Sequence, residues 1–208
     1  MGIAASERRE LSALLDALGP DAPTLCEGWK TRDLAAHLAL RERRLDAAPG
    51  ILLSPLSGYT QRVQDTFASR PWAELVELIR TGPPRWSPYA VPAIAERVNS
   101  GEYFVHHEDV RRAQAGWQPR EPDPARDSAL WRMVGPLARL SYRRSGVGVT
   151  LRGPDGTEIA AKRGPNTVTL HGEPGELLLH AFGRDEVRID YEGDPAAVTA
   201  VRSLKRGF

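Results

Sequence analysis

The sequence predicts an α+β protein, with a helical region up to about residue 145 and a small mixed unit after it. Apolar residues recur at helical spacing through most of residues 6–144. After Ser145 and Gly146 the pattern changes to short alternating runs separated by turn residues. A chain of 208 residues, 41% of them hydrophobic, is long enough for one large or two small cores. We therefore expect two domains, over residues 1–145 and 146–208.

The N-terminal region predicts a series of helices divided by glycine and proline. Leucines at the spacing i, i+3, i+4, i+7 predict a helix from Ser6 to about Leu18, which ends before a Gly-Pro pair. A second helix is expected from Thr31, as its N-cap, to about Asp46. The proline-rich residues 81–92 exclude a regular helix. Further helices are expected around 59–79, as one bent or two short helices interrupted at Arg70–Pro71, and over 93–114 and 124–144.

The C-terminal region predicts strands followed by alternating helix and strand. The runs GVGVTL, TEIAAK and TVTLHG, separated by Pro-Asp-Gly and Gly-Pro-Asn turns, predict three short strands joined by hairpins. A helix over PGELLLHAFG and a strand over EVRIDYE follow. The closing helix, DPAAVTAVRSL, has Asp194 as N-cap and Pro195 at its first position.

Composition excludes several classes of partner. Lys and Arg total 28 against 27 Asp and Glu, so there is no net field to attract nucleic acid or an anionic membrane. No run reaches the roughly 20 apolar residues of a membrane span. A single cysteine, Cys26, cannot form an internal disulfide, and the charged N-terminus does not resemble a signal peptide. We expect a cytoplasmic protein.

Three polar residues predict a metal site. Glu102 and His106 lie about 40° apart on one helical face, so both can bind one ion. His37 lies among leucines of the second predicted helix, and packing of the helices would bring it to this pair. Two histidines and one carboxylate leave coordination positions open, as in catalytic sites, and suit zinc first, then nickel or iron(II). His107, about 140° from Glu102, would instead point at solvent or a neighbouring helix.

Each neighbour of this predicted site also has an ordinary structural interpretation. Glu-x-x-x-His pairs occur by chance on many helices, and a histidine on an apolar face is commonly a core residue. Asp109 is a candidate to orient a ligand, or it forms an ion pair with Arg112 or Arg41. Arg41 is the candidate for binding an anionic group of a cofactor, or it forms a surface pair with Glu42.

The loop before the second predicted helix contains two residues of interest. Cys26 is either a nucleophile activated by the helix N-terminus or a small buried apolar residue. Trp29 either anchors the start of the helix by packing or stacks on a cofactor.

Three segments carry a resemblance to a known family: PTLCEGWKTRDLAAHLALRE (23–42), GEYFVHHEDVRRA (101–113) and GEPGELLLHAFGR (172–184). The chain resembles the mycothiol-dependent maleylpyruvate isomerase family of the DinB-like superfamily, and within it a metal-binding subgroup with the FVHHEDVRRA motif. The resemblance implies a four-helix DinB-like bundle followed by a sterol-carrier-like α+β domain. It places His37, Glu102 and His106 at the three metal-ligand positions. The pair His107–Glu108 departs from the family pattern, which has an aromatic residue there in many relatives.

The resemblance also implies a reaction. A divalent cation deprotonates a bound thiol, here mycothiol, and so makes it a nucleophile for a small electrophile. The outcome is isomerisation or S-transfer. Arg184 matches a family arginine and is the catalytic candidate that would bind a substrate carboxylate, the alternative being a helix-end arginine. A monomer or homodimer is expected. The alternatives are a non-catalytic, metal-stabilised binding module with an apolar-ligand or partner site in its C-terminal domain, and an iron(II) oxygenase.

Overall fold

The protein is described by a computed structural model covering residues 2–51 and 53–207. It is an α+β protein, as the sequence predicts. The chain divides into two compact units between Trp117 and Gln118, whereas the sequence suggested a boundary after residue 145. The difference arises because the helix that begins at Pro124 packs on elements of the C-terminal unit. None of the described helices combines the length and apolar character needed to cross a membrane.

The N-terminal unit is helical. A break at Arg70–Pro71 separates two short helices, which decides between the two alternatives for that region. Within the proline-rich residues 81–92, which were not expected to form a regular helix, Pro88–Ala90 forms a single 3-10 turn. The described α-helices of the unit are α1 (Ile3–Leu18), α2 (Thr31–Arg43), α3 (Ser57–Ala68), α4 (Trp72–Thr81) and α5 (Pro92–Arg112).

The start of α2 differs from the predicted capping. Thr31 is the first helical residue rather than the N-cap, which is Lys30. The Asp33 carboxylate accepts a 2.9 Å hydrogen bond from the Lys30 backbone N–H, and Thr31 donates its hydroxyl to the Gly19 carbonyl at 2.6 Å. The first bond satisfies a backbone N–H at the helix start, and the second attaches α2 to the residue that follows α1.

The core of the N-terminal unit lies between pairs of helices. Helix α1 packs on α4 and α5, and α2 packs on α3 and α4. Burial of these apolar faces provides the main stabilisation of the unit. The fully buried side chains include Leu11, Leu15, Leu34, Leu38, Leu75, Ile79 and Tyr103.

The C-terminal unit combines three α-helices and a four-stranded sheet among the described residues. Asp194 caps the last helix by accepting from the backbone N–H groups of Ala196 and Ala197, as predicted. The strand order is β2-β1-β3-β4. The elements are α6 (Pro124–Ser141), β1 (Val149–Arg152), β2 (Glu158–Lys162), β3 (Val168–His171), α7 (Pro174–Ala181), β4 (Asp190–Glu192) and α8 (Pro195–Arg202).

One predicted hairpin is wrong. Strands β1 and β2 form the expected antiparallel hairpin, but β3 pairs with β1 in parallel, with Val149 opposite Val168. Strands β1 and β3 each alternate buried and partly buried residues, whereas β2 has one buried residue, Ala161, and two exposed ones. The two strands with a buried face therefore lie together in the centre, and β2 is left at the edge.

Candidate metal site

The side chains of His37, Glu102 and His106 converge in the N-terminal unit. Nε2 of His37 lies 3.2 Å from Oε1 of Glu102, and Nε2 of His106 lies 3.4 Å from the same oxygen. The two imidazole centroids are 5.2 Å apart. One potential ligand atom from each residue lies within 4.8 Å of the other two. Residues from two helices distant in sequence thus direct their donor atoms at one point.

Helical geometry explains this convergence. Glu102 and His106 are at i and i+4 of α5, so their side chains share one face. His37 lies in the middle of α2, where Leu34 and Leu38 are buried on either side of it. His37 and His106 are 6% and 9% exposed, so both imidazoles are held away from bulk water.

The spacing of the donor atoms suits a small divalent cation. In a tetrahedral site with bonds of about 2.0–2.2 Å, neighbouring donor atoms lie about 3.3–3.6 Å apart. The two nitrogen–oxygen distances, 3.2 and 3.4 Å, are close to that edge length. Two imidazoles and one carboxylate are also ligand types that zinc and other first-row metals prefer. The residues present therefore fit a metal ion with open coordination positions.

Hydrogen bonds within the cluster keep the Glu102 carboxylate ionised. Burial raises the pKa of Glu102, but hydrogen bonds with His106 and His37 outweigh it and hold the pKa well below the usual value. Burial lowers the pKa of His37. For His106 burial acts in the same direction, but hydrogen bonds with Asp109, Cys26 and Glu102 raise the pKa well above normal. An ionised carboxylate thus lies at the centre of the cluster and stabilises positive charge on the groups next to it.

Arg41 borders the cluster. Its Nε lies 3.4 Å from Oε1 of Glu102, and its Nη1 donates to Oδ1 of Asn99 at 2.5 Å. The guanidinium also lies over the Tyr89 ring, 5.2 Å from the centroid. Its side chain is only 12% exposed, so Arg41 does not form the surface pair with Glu42 that was the alternative prediction. Arg41 is a fixed cation beside the three candidate ligands.

A second group of side chains contacts His106 on its other nitrogen. Oδ2 of Asp109 lies 3.0 Å from Nδ1 of His106, and the Cys26 thiol donates to that oxygen at 3.2 Å. Arg112 pairs with Glu108 at 2.6 Å, and Nε of Arg41 lies 3.4 Å from Oε1 of Glu102. The contact with Nδ1 places Asp109 where it can orient His106, as one of its two predicted roles requires.

One loop supports both imidazoles. It carries Cys26 beside His106 and places the Trp29 ring 5.2 Å from the ring of His37. Trp29 is partly buried and packs against the core, as its predicted anchoring role requires. The backbone N–H of Leu25 donates to the Asp109 carbonyl at 3.0 Å, which attaches the loop to α5.

His107 and Glu108 contact other parts of the unit. Nδ1 of His107 lies 2.8 Å from Oε2 of Glu7 on α1, so His107 points at a neighbouring helix. Glu108 is fully buried and bonds with Arg111 and Arg112 at 2.7 and 2.6 Å. His107 and Glu108 therefore make polar contacts within the N-terminal unit.

Arg184 follows the end of α7 in the C-terminal unit. Its Nη1 donates to the Phe182 carbonyl at 2.7 Å, and its backbone N–H donates to the carbonyl of Leu179 at 3.1 Å. The first bond is the kind that a helix-end arginine makes with free carbonyls.

Several residues of the site were not predicted from the sequence. Asn99 and Tyr89 hold Arg41, and Glu42 in turn contacts Asn99 at 3.3 Å. Neither helical periodicity nor a short motif marks these residues, because their partners lie on other elements. The hydrogen bond between Cys26 and Asp109 was missed for the same reason. The sequence signal available was the position of Asn99, a polar residue one turn from Glu102 on a predicted helix.

Comparison with known proteins identifies the fold. No protein-family model matches the sequence, and no curated protein matches it. Among solved structures, the chain is similar to the mycothiol-dependent maleylpyruvate isomerase, with a TM-score of 0.64 and 16% identity over 91% of this chain and 90% of that chain. A histidine-to-alanine mutant of that enzyme matches with a TM-score of 0.62 and 15% identity. The chain therefore shares the fold of these structures over most of its length.

Proposed function

We propose that this protein is a metal-dependent enzyme of the mycothiol-dependent maleylpyruvate isomerase family. It would use a low-molecular-weight thiol, mycothiol, either to isomerise a small electrophilic substrate or to attach the thiol to that substrate through its sulfur (S-transfer). The observation that carries the proposal is the convergence of His37, Glu102 and His106 on one point with donor distances of 3.2 and 3.4 Å. The shared fold with a maleylpyruvate isomerase supports the same conclusion.

The chemistry requires a thiolate at neutral pH. A free thiol has a pKa of about 8.5 and is only a few per cent ionised there. A divalent cation held by the three ligands supplies this ionisation when it is bound. A thiolate would add to the activated double bond of the substrate and move the π electron pair onto its conjugated electron-withdrawing group. Rotation about the resulting single bond, followed by loss of the thiolate, would re-form the double bond in the isomer. Displacement of a leaving group by the same sulfur would give S-transfer.

The chain's own residues would prepare this step. The buried positions of His37 and His106 limit access of water to the ligands. Arg41, fixed by Asn99, would bind an anionic group of the thiol cosubstrate beside Glu102. Arg184 would bind a substrate carboxylate through its guanidinium.

Metal analysis tests the first part of the proposal. We expect protein purified without chelator to hold one divalent ion per chain, zinc first, by inductively coupled plasma mass spectrometry. His37→Ala, Glu102→Ala and His106→Ala should each lose most of it. His171→Ala is the matched control, because His171 pairs with Glu192 at 2.8 Å outside the cluster and should leave metal content unchanged. Full metal content in all three cluster variants would exclude the site.

Titration with thiol tests the second part. Calorimetry on metal-loaded protein should show mycothiol binding that the three cluster variants lose. Conversion of maleylpyruvate in the presence of mycothiol, followed by chromatography, would identify the isomerase reaction. Full metal content without thiol binding would contradict the enzyme and favour the non-catalytic binding module.

A further inference from the structure

The carboxylate of Asp109 is held by two donors from different parts of the chain. Its Oδ2 lies 3.0 Å from Nδ1 of His106 and 3.2 Å from Sγ of Cys26. Asp109 is 0% exposed, and a buried carboxylate requires hydrogen-bond donors in place of water. Sγ itself lies 3.9 Å from Nδ1, so the carboxylate oxygen makes the closer contact with each of the two groups.

This arrangement determines which nitrogen of His106 is available to a metal. A metal binds the neutral imidazole, which has a single N–H, and an ionised Asp109 carboxylate, which only accepts hydrogen bonds, places that N–H on Nδ1. In the neutral imidazole Nε2 then has the lone pair, and Nε2 is the atom that faces Glu102 at 3.4 Å. Any group that fixes Asp109 therefore also fixes the donor atom of His106.

The position of the Cys26 side chain is set by the backbone of its loop. The Leu25 N–H donates to the Asp109 carbonyl at 3.0 Å, and the Cys26 N–H donates to Oγ1 of Thr24 at 3.2 Å. Thr24 in turn donates its hydroxyl to the Trp29 carbonyl at 2.8 Å. Removal of the thiol should therefore leave the loop in place and abolish the bond to Asp109.

We propose that Cys26 is a positioning residue for the metal site: its thiol holds Asp109, and Asp109 holds His106 with Nε2 towards the metal. This inference rests on the metal site of the proposed function. It differs from a nucleophilic role, which requires a free thiolate, and from a ligand role, which requires a bond from sulfur to the metal. The residue acts through Asp109 and His106 in both the metal-free and the metal-loaded protein.

Substitution of Cys26 tests the proposal through metal affinity. Loss of one hydrogen bond corresponds to about a 2- to 10-fold change in an equilibrium constant. Competition with a chromogenic chelator should show that Cys26→Ala binds zinc about 2- to 10-fold more weakly than wild type, while Cys26→Ser, which keeps a donor, stays close to wild type. Glu27 is the exposed neighbour of Cys26, and Glu27→Ala is therefore the matched control, which should bind zinc with wild-type affinity. Wild-type affinity in Cys26→Ala, or equal weakening in Cys26→Ser, would overturn the proposal.

A double-mutant cycle tests the route through Asp109. Loss of an outer-shell partner typically weakens metal binding about 10- to 100-fold, which we expect for Asp109→Ala. Adding Cys26→Ala to that variant should cause no further loss, because the thiol then has no carboxylate to hold. Additive losses would show that Cys26 acts by another route. If Asp109→Ala does not fold, the comparison of alanine and serine at Cys26 decides alone.

Cobalt substitution separates this proposal from the proposed function. Cobalt(II) protein without added thiol should lack the near-ultraviolet thiolate charge-transfer band, and its presence would make Cys26 a ligand and overturn the inference. The same band should appear on addition of mycothiol if the proposed function holds. A wild-type protein that binds no metal would overturn both proposals, whereas normal metal and thiol binding with an unaffected Cys26→Ala variant would overturn this one only.

Discussion

Asn99 holds Arg41 by a hydrogen bond of 2.5 Å from Nη1 to Oδ1, and the other side of the amide faces Glu42. Nδ2 of Asn99 donates to Oε1 of Glu42 at 3.3 Å, and the same oxygen pairs with Arg8 of α1. An amide can satisfy a cation and a carboxylate together only in this orientation, because its oxygen accepts and its nitrogen donates. The chain of contacts thus extends from α1 to the candidate metal site and fixes the guanidinium beside Glu102.

Substitution of Asn99 should reveal the cost of breaking this chain. In Asn99→Leu the buried Glu42 and the adjacent Arg41 each lose a partner, and unmet hydrogen bonds of this kind cost about 1–3 kcal/mol. We expect a decrease of that size in the free energy of unfolding, measured by urea denaturation. Gln61→Leu on the exposed face of α3 should change it by less than about 0.5 kcal/mol. Equal effects of the two substitutions would contradict the structural role of Asn99.

A glycine substitution tests the parallel pairing of β1 and β3. A Cβ at Gly148 would lie 2.2 Å from Oγ1 of Thr167 and 2.8 Å from the Gly164 carbonyl oxygen, in the connection between β2 and β3. We expect Gly148→Ala to lower the free energy of unfolding by about 1–3 kcal/mol. Gly146→Ala, whose Cβ meets nothing within 4 Å, is the control. Similar stability of both variants in urea would argue against this strand connection.

The C-terminal unit should lose stability below neutral pH because of His180. Its Nε2 contacts the Tyr191 hydroxyl at 2.8 Å and its Nδ1 contacts that of Tyr142, while burial and then the charges of Arg206 and Arg202 lower its pKa to about 3. The unfolded chain binds a proton near pH 6.5 and the folded chain does not, so stability is complete above that pH and falls as the pH decreases towards 3.

The expected loss is about 2 kcal/mol between pH 7 and pH 5, from the difference between the two pKa values. It can be measured by urea unfolding of the whole chain, followed by circular dichroism. His180→Gln, which cannot take up a proton, should show a smaller decrease over the same range. An identical pH dependence in both proteins would assign the effect to other groups.

Arg184 has two roles that kinetics can separate. If it binds a substrate carboxylate, Arg184→Ala should raise KM for a carboxylate-bearing electrophile about 10- to 100-fold while metal content stays unchanged. The control is Arg163→Ala, an exposed arginine in the connection between β2 and β3. An unchanged KM accompanied by a lower Tm would leave Arg184 with a structural role, to which its hydrogen bond to the Phe182 carbonyl contributes.

The helices and the candidate ligands on α5 follow from local patterns. Leucine spacing predicts α1, and Glu102 and His106 share a face because four residues make slightly more than one helical turn. The strands β1 and β2 likewise follow from alternation and a Pro-Asp-Gly turn. In each case the pattern and its structural consequence lie within the same short segment.

Tertiary structure decided the rest. The sequence alone determined an α+β chain and a set of polar residues suited to a metal, because hydrophobic period and ligand chemistry are properties of single segments and single side chains. The parallel partner of β1, the grouping of α6 with the sheet, and the contacts of Cys26 with Asp109 and of Asn99 with Arg41 depend on how separate elements pack. Such contacts join residues that have no spacing in common, so only the folded chain brings them together.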